Sequence, residues 1–190
     1  HRETAHAREG KKAKIIAKMN SLCDAEMIAA LYEASCAGVE IDLIVRGICC
    51  LKAGVPGLSE HIRVRSIVGT FLEHSRIFYF YNDGWEDIYM GSADWMPRNL
   101  DKRVEILFPV EDTDCKERVK HILQIQLEDN VKAHLLQPDG TYIKEDKRGK
   151  VLLSSQDYFC EEAIRQAKEE REETYVTKRV FEPVMSDEQA

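Results

Sequence analysis

Three short stretches of this sequence hold side chains able to grip anions and move protons. The first is Glu73-His74-Ser75-Arg76, where a short helix is expected to give way to a strand. Residues two apart on a strand share a face, so His74 and Arg76 should emerge together. Imidazole exchanges protons near neutral pH, and guanidinium offers forked donors that match phosphate oxygens. A histidine at such a junction is more often a surface or packing residue, so the pair gains weight only from its neighbours. Those come in the second stretch, Gly91-Ser92-Ala93-Asp94, followed by Pro97, Arg98, Asn99, Lys102 and Arg103. A Gly-Ser turn at a strand end is commonplace, but Pro97 should stiffen a loop that presents Arg98 and Asn99. The third stretch, Arg46-Gly47-Ile48-Cys49-Cys50, puts an arginine at the carboxyl end of a predicted strand, where open α/β sheets bind ligands. An exposed strand-end charge is the plainer reading of Arg46. No Gly-rich loop ending in Lys-Ser or Lys-Thr occurs, so nucleotide handling of the P-loop kind is excluded.

The elements that must position these residues follow from patterning. Residues 1–14 read as an incoming helix or a linker, and residues 15–19 as a short buried strand. Asp24 can cap a helix running to about residue 37, with Met27, Ile28, Leu31 and Tyr32 on one face and Gly38 placed to end it. Residues 40–46 form a second strand, and strand–helix–strand in this span is the βαβ unit of a parallel sheet. Residues 62–65 read as a strand and residues 66–73 as a short amphipathic helix. Residues 76–81 and 86–91 read as strands joined by an Asn82-Asp83-Gly84 turn. Residues 104–110 are an apolar run, residues 115–129 a helix, and residues 131–136 and 141–144 a hairpin around Pro138-Asp139-Gly140. Residues 157–173 form a charged helix, and residues 176–190 a tail. The expected fold class is α/β, a mixed sheet layered with helices.

Composition sets outer bounds. With 44% hydrophobic and 32% charged residues the chain can build its own core. Its longest apolar runs are far too short to span a membrane as a helix, and its polar, charged opening does not resemble a secretory signal. The six cysteines include no C-x-x-C pair, which argues for reduced thiols, mostly in the core, rather than a zinc site or disulfides. A net charge of −7 argues against a general nucleic-acid or acidic-membrane binder.

Longer runs carry a resemblance. Ala17-Lys18-Met19-Asn20-Ser21-Leu22, Leu31-Tyr32-Glu33-Ala34-Ser35 and the run from Ile41 to Leu51 resemble polyphosphate kinases. So do Gly57-Leu58-Ser59-Glu60-His61-Ile62, Phe71-Leu72-Glu73-His74-Ser75-Arg76, and the run from Gly91 through Trp95 and Arg98 to Glu105. The similarity covers about residues 1–170, in the family's order. It implies the second of two related C-terminal domains with a phospholipase D-like fold, spanning residues 1–175 of this chain. The phospholipase D pattern H-x-K and G-S-x-N is present in altered form as His74-x-Arg76 and Gly91-Ser92-x-Asp94.

The resemblance also implies an activity: reversible transfer of the terminal phosphoryl group of ATP to inorganic polyphosphate, with Mg²⁺ accompanying the nucleotide. The phosphorylated histidine of the family lies in the preceding domain and has no match here, so upstream domains of the same enzyme are expected partners. His74 matches a second active-site histidine with a general acid/base role. Glu105 matches an acid near the catalytic histidines, and Arg46 and Arg103 match arginines lining the phosphate tunnel. Arg76 and Arg98 join them as weaker phosphate-binding candidates by proximity. ATP/ADP and polyphosphate are the implied ligands, with no metal ligand assigned, no nucleic acid partner, a cytoplasmic location, and self-association of the full-length enzyme. The alternative is a polyanion-binding or assembly module without turnover.

Overall fold

The computed structural model describes residues 1–176. Its contacts divide the chain into one unit of residues His1–Ser155 and a second beginning at Gln156. Helix α1 (Arg2–Arg8) precedes strand β1 (Lys14–Met19), helix α2 (Ala25–Cys36) and strand β2 (Glu40–Val45). β1 and β2 pair in parallel from Lys14↔Glu40 to Met19↔Val45, which is the βαβ unit that the patterning implies. Helix α2 starts where Asp24 accepts a hydrogen bond from the Met27 N–H at 2.9 Å, and it ends before Gly38, whose φ of +95° suits glycine.

Strand β3 (Ile62–Ile67) lies parallel to β2, whereas β4 (Arg76–Phe80) runs antiparallel to β1. After a 3₁₀ turn at Asn82–Gly84, β5 (Asp87–Gly91) pairs back on β4. Helix α3 (Pro97–Lys102), strand β6 (Leu107–Pro109), helix α4 (Thr113–Glu128) and the hairpin of β7 (Ala133–Leu136) and β8 (Tyr142–Lys144) complete the first unit. The described part of the second unit is helical, within α5 (Ser155–Val176). The strands form one mixed sheet ordered β6-β5-β4-β1-β2-β3-β7-β8.

The central strands are apolar on both faces because both are covered. On one face Ile15, Ala17, Met19, Ile41, Leu43 and Val45 pack with Leu31 and Ala34 of α2. On the other, Ile16, Ile44, Ile77 and Ile88 pack with Val119 and Leu123 of α4. Alternation along β1 therefore sends Lys18 to the α4 face beside Ile16.

Several sequence expectations need correction. Residues 66–73 are not a helix. Ser66 and Ile67 extend β3, where they pair with His134 and Ala133 of β7, and no helix follows before β4. A long-range ladder here overrides a weak local preference. The stretch after Pro97 is not a stiff loop but helix α3, with proline at its start, where its missing N–H costs nothing. The apolar run 104–110 yields only the three-residue strand β6, and its side chains are exposed. None of the six cysteines is buried, contrary to the core placement expected of them. They fall near helix ends and in loops, apart from Cys160 within α5, and all are free thiols. The stretch expected as a tail lies, past residue 176, outside the described residues.

Asp129 closes the first unit. Its Oδ1 accepts N–H bonds from Val131, Lys132 and Ala133 at 2.7–3.2 Å, and its Oδ2 accepts the Ser155 N–H and hydroxyl at 2.8 and 2.7 Å. Burial pushes its carboxyl up, but these five donors outweigh burial and hold it below the usual aspartate range. Asp129→Ala is expected to cost about 3 kcal/mol, the scale of losing charge-assisted bonds and stranding buried donors. Urea unfolding reads this as a lower midpoint at unchanged slope. A loss below about 0.5 kcal/mol would mean that the five donors find other partners.

Candidate active site

The end of the sheet where β1 and β2 finish gathers the chemically capable residues. β1 runs out into Asn20 and Ser21, and β2 into Arg46. Because β4 is antiparallel to β1, with Ile77 opposite Lys18, the start of β4 with His74 and Arg76 lies at this same end. β5 returns with Gly91 opposite Arg76 and delivers Ser92 and Asp94. Close approach of backbones rules out a side chain at one glycine and crowds it at another. A Cβ on Gly91 would stand 2.5 Å from the Ile106 carbonyl oxygen, and one on Gly47 would stand 3.0 Å from that of Asn20. The loops are laced by backbone bonds, Leu22 N–H to Ile48 and Cys23 N–H to Trp95. Trp95 stacks on Phe78 at 5.1 Å between ring centres.

A carboxylate ties these strand ends together. Asp94 is 6% exposed and accepts a fork from Arg76, Nε to Oδ1 at 3.1 Å and Nη2 to Oδ2 at 3.2 Å. It also takes the Asn20 backbone N–H at 2.7 Å and side-chain amide at 3.2 Å. Arg76 turns its remaining edge to His74, with Nη1 donating to the His74 carbonyl at 2.8 Å and lying 3.0 Å from Nδ1. The same Nη1 lies 3.3 Å from Nε2, so the guanidinium faces the imidazole as a whole rather than one of its nitrogens. The two departures from the phospholipase D pattern, Arg76 and Asp94, are thus partners in one ion pair.

Arg46, His74, Arg76, Arg98, Arg103 and Glu105 all line one open cleft of about 610 Å³, so the six residues singled out by sequence do converge. They fall into two groups. Arg76 is held by protein groups, and Glu105 accepts hydrogen bonds from the Ser92 hydroxyl and the Asn99 amide. Those two bonds, with Arg103 and Arg76 adding attraction, keep the Glu105 carboxyl below the usual glutamate range. Among the described residues Glu105 bonds to Ser92 and Asn99 and not to the His74 ring. The guanidinium groups of Arg46, Arg98 and Arg103 have no hydrogen-bond partner among the described residues, and Arg46 Nη1 is buried as well. Four guanidiniums against the two carboxylates Asp94 and Glu105 leave the cleft positive in a chain of net charge −7.

Patterning placed Ser92 and Asn99 in a candidate anion-binding stretch without a specific role, and gave no site role to Lys18 or Asn20. Lys18 offered one signal, a lone charge inside an apolar strand; the others are ordinary polar residues until the strands pair. On metals, among the described residues no three His, Cys, Asp or Glu side chains come together as a cage. The Asp94 and Glu105 oxygens are already occupied by protein donors, so these residues do not fit a resident ion.

Burial pushes the Asp94 carboxyl up, but Arg76 and Asn20 outweigh it and hold it below the usual range. A depressed pKa gives stability that is present above the ordinary aspartate value of about 3.9 and lost as pH falls through the lower folded value. The unfolding free energy of the chain should therefore decline below about pH 4, with Asp129 contributing in the same window. Asp94→Asn should flatten part of that decline; parallel curves for the two proteins would refute the linkage.

Comparison with known proteins is consistent with this geometry. The family model for polyphosphate kinase C-terminal domain 2 matches residues 1–156. A polyphosphate kinase of Pseudomonas putida is 60% identical over 148 residues, covering 78% of this chain and 20% of the relative. One from Lactiplantibacillus plantarum is 48% identical over 186 residues, covering 97% of this chain and 26% of the relative. The crystal structure of polyphosphate kinase from Porphyromonas gingivalis superposes with a TM-score of 0.81 at 43% identity, over 91% of this chain and 26% of that one. A phospholipase D family member, Nuc from Salmonella typhimurium, shares the fold with a TM-score of 0.50 at 14% identity, over 70% of this chain and 88% of that one. The chain spans about a fifth to a quarter of the length of these kinases. It belongs to the polyphosphate kinase family, as the second of its C-terminal domains.

Proposed function

We propose that this chain supplies one wall of the active site of a polyphosphate kinase. The parent enzyme reversibly transfers the terminal phosphoryl group of ATP to inorganic polyphosphate through a phosphohistidine contributed by another part of the enzyme. The observation that carries this reading is the set of unpaired guanidiniums of Arg46, Arg98 and Arg103 around His74 in one cleft. Triphosphate and polyphosphate are chains of anionic oxygens, and forked cations that need no rearrangement stabilise charge where it develops. The ligands are ATP or ADP and polyphosphate. Mg²⁺ arrives as part of the nucleotide substrate, bridging its phosphates.

In this reading Arg46 and Arg103 offset charge on non-bridging oxygens and hold the reacting groups in line, with Arg98 at the cleft's edge. His74 moves a proton at the transferring group, a role worth roughly 10²–10⁴ in rate. Arg76 acts mainly as a strut, because Asp94 and His74 take up most of its donors, so its expected grip on phosphate is the weaker one. Glu105 fixes Ser92 and Asn99 at the cleft floor, leaving open the orienting of an imidazole that enters from another domain. Phosphodiester hydrolysis by a His-x-Lys nucleophile fits poorly, since the lysine position is an arginine locked to Asp94. We place the enzyme in the cytoplasm as a self-associating protein, with the upstream domains as this chain's partners.

Phosphoryl transfer with MgATP and short polyphosphate should be undetectable for this chain alone and appear when it is joined to the remaining domains. Turnover by the chain alone would mean that it contains a nucleophile, and the division of labour would be wrong. In the joined enzyme His74→Ala should cut kcat by about 10²–10⁴ while polyphosphate binding stays nearly intact. Full activity in that variant would remove His74 from the mechanism. Arg46→Ala should lower kcat/KM by about 10–100-fold through lost charge-assisted contacts. If Arg46→Ala weakens binding while His74→Ala leaves turnover untouched, the polyanion-binding module is the better account.

A further inference from the structure

Lys18 is among the largest fully buried side chains of the protein, with 1% of its side chain exposed. A buried ammonium is costly unless every one of its donors is taken. Its Nζ donates to the Ser75 hydroxyl at 2.9 Å and to the Ser75 carbonyl at 3.2 Å, and lies 3.3 Å from a Glu73 carboxylate oxygen. That same oxygen accepts the Gln126 amide of α4 at 2.6 Å. Three bonds from one ammonium therefore fall on the two residues that flank His74.

The segment needs such an anchor. His74 and Ser75 precede β4 and have no ladder partner, and the backbone bond given to this stretch is local, His74 N–H to Leu72 at 3.0 Å. His74 itself is exposed. Arg76 pins its carbonyl from one side, and Lys18 pins its neighbours from below. A bulk apolar side chain at residue 18 would fill the same space on the α4 face but hold nothing. Burial draws the ammonium below the usual lysine range, and Glu73 opposes this while Arg46 and Arg76 reinforce it. The surrounding cations would favour a neutral residue here, so the charge serves the contacts with Glu73 and Ser75.

We infer that Lys18 is a positioning residue for catalysis, acting through His74 by clamping Glu73 and Ser75 on either side of it. The inference rests on the acid/base reading of His74 and deepens it: the imidazole is aimed by a buried cation on β1 as well as by Arg76. Lys18 does not line the cleft and bonds to the neighbours of His74.

The test is Lys18→Met, close in length and apolar, in the joined enzyme and in this chain. The Glu73→Gln, Lys18→Met double variant removes both charges of the pair. In the joined enzyme kcat for phosphoryl transfer should fall by about 10–100-fold, with KM for MgATP within about threefold, in both variants. In this chain the His74 ring resonance should shift and broaden, while the resonances of His121 and His134 stay in place. Unchanged kcat, or a loss no larger than the loss of folded protein together with an unmoved His74 resonance, would overturn the inference. A fully active His74→Ala enzyme would instead defeat the functional reading on which it rests, and the ring resonance would still report whether Lys18 sets the position of His74.

Discussion

Asp94 collects bonds from Asn20 at the end of β1 and from Arg76 at the start of β4, while standing itself just past β5. Strand pairing fixes the middles of these strands but leaves their ends free to splay, because the ladders stop at Lys18↔Ile77 and Arg76↔Gly91. A buried carboxylate with donors on two other segments converts three loose ends into one rigid rim. The arrangement has the properties required of a buried ion pair that is net useful: a forked geometry and additional donors on the same carboxylate. Removing the charge of either partner alone would leave the other buried and uncompensated.

That rim separates two uses of the same side chain. Arg76 has its donors directed at Asp94 and at His74, and works as structure. Arg46, Arg98 and Arg103 carry the same group without a hydrogen bond among the described residues, on the end of β2 and on and just beyond α3. The difference comes from where backbone places a carboxylate, not from the residue type. Glu105 shows the complementary case. It sits among guanidiniums, but its oxygens are turned to Ser92 and Asn99, so it does not neutralise the arginines by direct contact.

The sequence made the parallel unit legible because each of its parts has a local cause. Asp24 caps a helix, Gly38 ends it, and apolar runs flank both. The six candidate site residues were legible partly by resemblance and partly because strand ends bind ligands in α/β sheets. What could not be read was whatever depends on a partner distant in sequence. Ser66 and Ile67 have no local reason to be extended; they are extended because β7 pairs with them. Lys18 looks like an error in an apolar strand until Ser75 and Glu73 arrive, 57 and 55 residues later. Arg76 reads as a phosphate ligand until Asp94 is seen to hold it. The expected buried cysteines failed for a related reason: a small apolar side chain can pack in a core, but aliphatic residues already fill both faces of this one.

The unpaired Arg46 shows how the cleft stays ready. Its Nη1 is buried without a partner among the described residues, an arrangement that costs on the order of 1–3 kcal/mol in the empty protein. A nearby carboxylate could remove that cost, yet the nearest acids of the cleft are engaged by Arg76, Asn20, Ser92 and Asn99. Satisfying Arg46 from within would also place a competing anion in the cleft. In the proposed reading, an anionic chain entering the cleft meets one donor that is already dehydrated, Arg46 Nη1, with the exposed Arg98 and Arg103 beside it, which lowers the reorganisation that binding requires.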